Sequence, residues 1–449
     1  MINLQKLLQK VTPAQSLLIG FILIILIGSS LLTLPIASSK GVSQSFIDAL
    51  FTATSAVSTT GLVVVDTGGF YSIFGQIVIL VLFQIGGLGY MIFIVLMAYI
   101  FGKRVSLETE KTLQESLAGP PVGVIKKFVK AVILYTFLIE FIGAVILSLY
   151  WMREFPLSRS IYLGIFHSVS AFCTAGFGLF SDSFVSYQDS IAINTIIPCL
   201  CFAGGIGFFV LYDIHTFLGK TINHIQPRRL AIHSKLALIL SITLIVIGIA
   251  ITFISESRSS SLPLKHRLLG STFQSITAST TTGFNTIDIG AMSSTSLFTM
   301  IVLMFIGASP GGTGGGIKTT TFGLMLLILS AQLRRREDVN LFDRRISYET
   351  INKAFAIGAM AILLVILDTL ILTSLEKASF LEILFEVVSA FGTVGLSTGI
   401  TPSLSTVGKI IIIITMLTGR LGPLTIGFSL VGKPKRVDFR FAEEEVFVG

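Results

Sequence analysis

One twelve-residue pattern occurs four times in this chain, and that repetition constrains the fold more than any other feature. The copies are Phe51–Leu62 (FTATSAVSTTGL), Phe166–Phe177 (FHSVSAFCTAGF), Phe273–Phe284 (FQSITASTTTGF) and Phe385–Leu396 (FEVVSAFGTVGL). Each opens on Phe and reaches a glycine ten residues later: Gly61, Gly176, Gly283 and Gly395. Each has a hydroxyl at its fifth position (Ser55, Ser170, Thr277, Ser389), followed by alanine (Ala56, Ala171, Ala278, Ala390). Each has threonine two residues before the glycine (Thr59, Thr174, Thr281, Thr393). The glycines recur about every 110 residues, the signature of an internally repeated architecture.

The sequence around the copies belongs in a bilayer. Of 449 residues, 52% are hydrophobic and 12% charged, roughly half the charged fraction of ordinary soluble domains. Many apolar runs reach the ~20 residues that cross a ~30 Å hydrocarbon layer. Spans are expected at 14–35 and 73–101, 128–151 and 190–218, 234–255 and 296–331, and 353–375 and 406–431. Between the members of each pair lie stretches too short and too polar to cross alone: 44–60, 160–175, 266–282 and 378–394. These read as re-entrant half-helices whose non-helical ends must lie inside protein, because lipid cannot satisfy free backbone groups. The expected fold class is an all-α polytopic membrane protein of four pseudo-symmetric membrane–pore–membrane repeats. It has eight transmembrane helices and four re-entrant pore helices around one pore. The repeats are 1–101, 102–218, 219–331 and 332–431, with a tail at 432–449.

Charge orients this arrangement. The net charge is +8, and most Lys and Arg residues fall on the side opposite the glycines. That side holds Lys6 and Lys10, the loops 102–130, 219–235 and 332–353, and the C-terminus. The bias puts both termini in the cytoplasm of a multi-pass plasma-membrane protein. The basic total is thus a topology signal and calls for no nucleic acid. The clusters Arg334–Arg336 and Arg344–Arg345 exceed what topology needs and suit anionic lipid or an acidic or nucleotide-binding partner. Cys173, Cys199 and Cys201 lie in apolar segments and fit neither a disulfide framework nor zinc spacing.

The repeat suits a dehydrating cation. Backbone carbonyls from four short segments meeting at an axis replace a hydration shell, and glycine permits the dihedrals this needs. Half-helix C-termini aimed at the axis favour positive charge. Asp66, Asp182 and Asp288 lie beyond the glycines as candidate collectors of cations, although simple solvation explains them as well.

A second pattern follows. Gly86, Gly204, Gly307 and Gly419 stand at similar distances past the four glycines, with Gly87, Gly205, Ala308 and Arg420 next to them. A charge at mid-membrane marks a pathway by default, so Arg420 reads as a cation barrier. The third unit also carries Gly307-Ala-Ser-Pro-Gly311-Gly312-Thr313-Gly314-Gly315-Gly316-Ile-Lys318, which cannot continue as a regular helix. It is no nucleotide P-loop, because Ile317 separates Gly316 from Lys318 where the motif needs them adjacent. Glu140, Asp213 and Asp368 are buried acids available to Arg420 or Lys318, and His167 and Cys173 share a half-helix without further metal ligands in view.

These motifs, over about residues 14–431, resemble the Trk/Ktr/HKT superfamily of potassium transporters. Eight spans without an added N-terminal pair look most like the bacterial Ktr membrane subunit. The resemblance implies potassium at the carbonyls of Thr59, Thr60 and Gly61; Thr174, Ala175 and Gly176; Thr281, Thr282 and Gly283; and Thr393, Val394 and Gly395. Gly61, where some sodium-selective plant relatives have serine, argues for potassium. The resemblance also implies that residues 311–316, with Lys318, form an intramembrane gate. It further implies a homodimer with one pore per chain, a cytosolic nucleotide-binding ring as regulator, and sodium stimulation. No cofactor is expected in this chain itself. Two alternatives remain open: a sodium-permeable transporter of the same fold, and an intramembrane hydrolase using His167 or Lys318. Catalysis needs one asymmetric constellation, so four equal copies count against the hydrolase.

Overall fold

The computed structural model describes residues 12–89, 125–222, 229–259, 263–336 and 338–431. Lys6, Lys10, Lys103, Arg104, Lys111 and the tail 432–449 lie outside the described residues, as do residues 90–101 of the second expected span.

Each unit is a long helix, a half-helix and a second helix. The long helices are Pro13–Leu32, Ile125–Trp151, Ile232–Ser259 and Tyr348–Leu375. They are the four continuous helices long and apolar enough to cross a membrane among the described residues, and only 28–39% of each apolar window is buried. Their outward faces carry exposed Leu23, Ile27, Phe141, Ile242, Leu363 and Leu370. A soluble protein would bury such a belt; here lipid covers it.

The half-helices are Phe46–Val57, Leu157–Phe172, Leu264–Ser279 and Phe380–Gly392. Ser45 and Ser379 cap the first and fourth through their side chains, whereas Pro156 and Pro263 precede the second and third. Their C-terminal turns are sunk in the protein, where the phenylalanines Phe51, Phe166, Phe273 and Phe385 are fully buried, while Phe46, Leu157, Leu264 and Phe380 at their starts are exposed. This burial permits a half-helix to stop mid-membrane, because protein and not lipid meets its open end.

The packing closes a ring. Each of the first three units lays its second helix against the half-helix of the next unit, and the fourth unit's second helix returns to the first half-helix. An ion pair of 2.7 Å between Lys409 and Asp48 spans that last junction.

The second helices differ from expectation. They are Ile73–Leu88, Ile191–Gly205, Ser294–Ile306 and Thr406–Leu421, so none runs the full length read from the sequence. Phe208–Ile222 and Pro423–Val431 continue the second and fourth after turns of 95° and 99°. The cause is a glycine three residues past the small-residue mark: Gly89, Gly207 and Gly422 have φ of +78°, +100° and +87°. That backbone suits glycine and ends a right-handed helix. The third unit breaks at Gly307 itself, φ +68°, and the chain resumes as a helix only at Thr319–Leu333. Beyond it, a short hairpin pairs Asn340–Leu341 with Arg344–Arg345.

Candidate functional site

The four copies end in one backbone conformation. Thr59, Thr174, Thr281 and Thr393 have φ of +54°, +50°, +57° and +50°. A β-branched residue in the left-handed region is strained, and such strain gathers at functional sites. In each copy the following residue returns its N–H to the fifth-position carbonyl at 2.8 Å: Thr60 to Ser55, Ala175 to Ser170, Thr282 to Thr277, Val394 to Ser389. The chain therefore leaves each half-helix in the same direction.

The glycines show where the copies go. A Cβ on Gly61 would lie 2.5 Å from the Ala175 carbonyl oxygen, and one on Gly176 would lie 2.3 Å from that of Thr282. On Gly283 it would lie 1.9 Å from the Val394 oxygen, and on Gly395 2.1 Å from the Thr60 oxygen. Each glycine thus abuts the next unit's carbonyl, and the fourth returns to the first. The four segments form a closed ring. The carbonyls of Thr60, Ala175, Thr282 and Val394 accept no hydrogen bond from the described residues, so their oxygens remain available to a ligand.

The fifth-position hydroxyls brace the ring in two ways. Ser55 and Ser389 accept from the N–H of Gly61 and Gly395 at 3.0 and 3.1 Å. Ser170 and Thr277 donate to the carbonyls of Phe177 and Phe284 at 2.8 and 2.9 Å.

One end of the ring is covered by the loop between Gly307 and Lys318. The Thr59 hydroxyl donates to the Thr313 carbonyl at 3.0 Å, and the Thr174 and Thr313 hydroxyls are 3.0 Å apart. Gly314 and Gly315 lie against the hydroxyls of Thr281 and Thr393, where added Cβ atoms would sit 2.0 and 2.4 Å away. The loop thus touches the threonine of every unit. It docks on the second unit through Thr313 N–H to Gly204 O (3.2 Å), Ser309 N–H to Gly205 O (3.0 Å) and Phe208 N–H to Gly311 O (2.9 Å).

Two cations hold the loop. Lys318 donates to Gly314 O at 2.6 Å. Arg420 donates to Thr59 Oγ1 at 3.0 Å, and also to the carbonyls of Thr313 and Gly86. One guanidinium therefore ties the first, third and fourth units together. Beyond the loop lies a cavity of ≈540 Å³ lined by Gly87, Gly312, Gly316, Lys318, Lys353 and Arg420, among others, and by no residue of the ring. The loop and Arg420 stand between that cavity and the ring.

A model of the family described as TrkH: Cation transport protein matches residues 12–433. The chain belongs to the TrkH family. TrkH proteins are cation transporters of the membrane and not enzymes, so the hydrolase alternative is set aside. This chain is 42% identical to the Ktr system potassium uptake protein B of Bacillus subtilis, over 98% of this chain and 97% of the relative. It is 36% identical to the potassium/sodium uptake protein NtpJ of Enterococcus hirae, over 98% of each. The crystal structure of the potassium transporter TrkH from Vibrio parahaemolyticus shares its fold. The TM-score there is 0.70 and the identity 20%, covering 92% of this chain and 84% of that one.

The remaining candidates of this TrkH-family chain have partners other than Arg420 and Lys318. Glu140 accepts from Gln84 at 3.1 Å and lies 3.6 Å from Cys173 Sγ. Asp213 accepts from Ala231 N–H at 2.8 Å, and Asp368 from Thr415 at 2.6 Å. None is within ion-pair distance of Arg420 or Lys318. Asp66 takes the Ser181 hydroxyl (2.6 Å), Asp182 the Ser186 N–H (2.9 Å) and Asp288 the Gly290 N–H (3.0 Å). Asp66 thus bridges the first and second units, whereas Asp182 and Asp288 are engaged in local turns. His167 receives Leu179 N–H on Nε2 at 3.1 Å and stacks on Phe180.

Proposed function

We propose that this chain takes potassium into the cell through the ring formed by Thr59–Gly61, Thr174–Gly176, Thr281–Gly283 and Thr393–Gly395. One observation carries the reading: each ring glycine abuts a free carbonyl oxygen of the next unit, cyclically. Four such oxygens at one level replace the waters that a potassium ion sheds. The ring faces the outside and both termini the cytoplasm, as the Lys/Arg bias requires. The membrane potential supplies ~2.3 kcal/mol per charge per 100 mV toward the cavity.

The loop of Gly311, Gly312, Thr313, Gly314, Gly315 and Gly316 is the gate, with Lys318 and Arg420 as its latches. Both cations also repel a potassium ion leaving the ring, until the loop moves and carries Thr313 off the threonines. Support comes from the contact the loop makes with all four units and from the five glycines that let it adopt a second shape.

A cytosolic nucleotide-binding ring governs this gate, and the chain works as a homodimer with sodium as a stimulator. Support comes from the likeness to Ktr system proteins. The exposed Arg334, Arg335, Arg336 and Arg344 offer a basic landing surface, to which anionic lipid headgroups are the competing ligand. A second reading is a sodium-permeable pore of the same fold. It has the likeness to a potassium/sodium uptake protein in its favour.

The test is Rb+ uptake into proteoliposomes with and without an imposed potential. Potential-driven Rb+ uptake, competed by K+ and not by Na+, is the expected result. Rapid Na+ flux with K+ excluded would overturn potassium in favour of sodium.

A further inference from the structure

The second residue of each copy is polar, buried and different: Thr52, His167, Gln274 and Glu386 are all at most 1% exposed. It sits three residues before the fifth-position hydroxyl, and so on the same helix face one turn earlier. Past each ring glycine the chain runs back along its half-helix. The fifth position therefore meets the glycine or its neighbour, and the second position meets the chain farther on.

The hydrogen bonds follow that geometry. Gln274 donates to the Phe284 carbonyl at 3.4 Å, one residue past Gly283. His167 accepts from Leu179, three residues past Gly176, while its Nδ1 faces the Leu163 carbonyl at 2.8 Å. Thr52 takes the Tyr71 hydroxyl at 3.1 Å, on the chain that follows Gly61. Glu386 accepts from Ser397 at 2.7 Å and from Thr401, two and six residues past Gly395. Ser397 in turn holds Gly399 N–H at 3.0 Å.

These four differ in strength. Gln274 makes one long bond to the chain beyond its glycine, and its Oε1 has no partner among the described residues. Glu386 uses both carboxyl oxygens on that chain. No Lys, Arg or His among the described residues stands within ion-pair distance of it, so two hydroxyls hold this buried carboxyl. An apolar replacement removes both of these bonds at once and leaves the Thr401–Ser397 contact (3.0 Å) and the Gly399 N–H on Ser397 to hold that chain.

We propose that the second position of each copy is a brace that fixes how far the ring stands from its half-helix. Glu386 is then the positioning residue on which discrimination between potassium and sodium depends most. It touches no ion itself; it acts through Ser397, Thr401 and the Gly395 segment. Loss of the brace lets one quarter of the ring relax, so a smaller ion is no longer penalised while flux continues. The proposal rests on the ring being the ion filter.

The test compares Rb+ and Na+ fluxes of wild type, Glu386→Gln, Glu386→Met and Gly395→Ser in proteoliposomes. Glutamine can still bond both hydroxyls, since a hydroxyl donates or accepts as needed. Glu386→Gln is expected to keep the Rb+/Na+ ratio within about threefold of wild type, and Glu386→Met to lower it about tenfold with total flux retained. An unchanged ratio in Glu386→Met, with Gly395→Ser still altering it, overturns the brace and leaves the filter standing. A ratio that none of the variants changes, Gly395→Ser included, overturns both. Should Glu386→Met not fold, the pair Ser397→Ala and Thr401→Val removes the same bonds from the other side. That pair must lower the ratio likewise, and an unchanged ratio overturns the brace.

Discussion

The four glycine segments share one backbone, whereas the second helix of the third unit ends differently from those of the second and fourth. The segments repeat a left-handed threonine, an N–H returned to the fifth-position carbonyl and a glycine against the next unit's oxygen. Among the described residues, the second helices of the second and fourth units turn at Gly207 and Gly422, and that of the third gives way to the loop from Gly307 to Lys318. A ring of equivalent oxygens needs four equal contributions, and one weak quarter spoils it. A gate needs only one moving part, and four would have to move together. Symmetry is kept where geometry is shared and is absent where a single element suffices.

The largest effect should come from breaking that symmetry. Gly283→Ser places a side chain 1.9 Å from the Val394 oxygen. Overpacking at the ~3 kcal/mol level corresponds to roughly a hundredfold loss of Rb+ uptake, read by initial rates in vesicles.

Next comes the asymmetric half of the comparison. Arg420→Gln removes the guanidinium that joins Thr59, Thr313 and Gly86. The loop loses a charged latch worth ~1.5 kcal/mol or more, and Rb+ flux should rise about tenfold. A fall in flux with intact protein would count against Arg420 as a barrier.

Two smaller changes sharpen the picture. Gly207→Ala puts a side chain at φ +100° and 2.6 Å from the Pro310 oxygen, which should cost ~1–2 kcal/mol and lower the Tm by a few degrees in detergent. Lys409→Met removes the part-buried bridge to Asp48 that closes the ring of units. That bridge contributes ~0.5 kcal/mol after screening, so the Tm should fall by a degree or two and the fluxes should hold.

The sequence revealed the symmetric half of the molecule far better than the asymmetric half. Repetition made the ring segments visible, because a pattern shared by four stretches stands out at any one of them. The half-helices and long helices fall close to their expected places for the same reason. The breaks at Gly207 and Gly422 were written in the sequence too, as a second glycine three residues past Gly204 and Gly419. The apolar runs on both sides, read as continuous spans, obscured them. Arg420 was legible as a costly charge, but its partners were not, because two are backbone carbonyls that leave no trace in residue identity. Of the proposed braces, His167 was visible only as a metal or catalytic candidate, and Thr52, Gln274 and Glu386 gave no signal, because the four share a position but no chemistry.

The most direct test of a single ring built from four quarters is to place serine at Gly61, Gly176, Gly283 and Gly395, one at a time. The measurement is the Rb+/Na+ flux ratio of each variant in proteoliposomes. The ring predicts a large fall in that ratio for all four variants. A fall confined to one or two, with the others at the wild-type ratio, would contradict it.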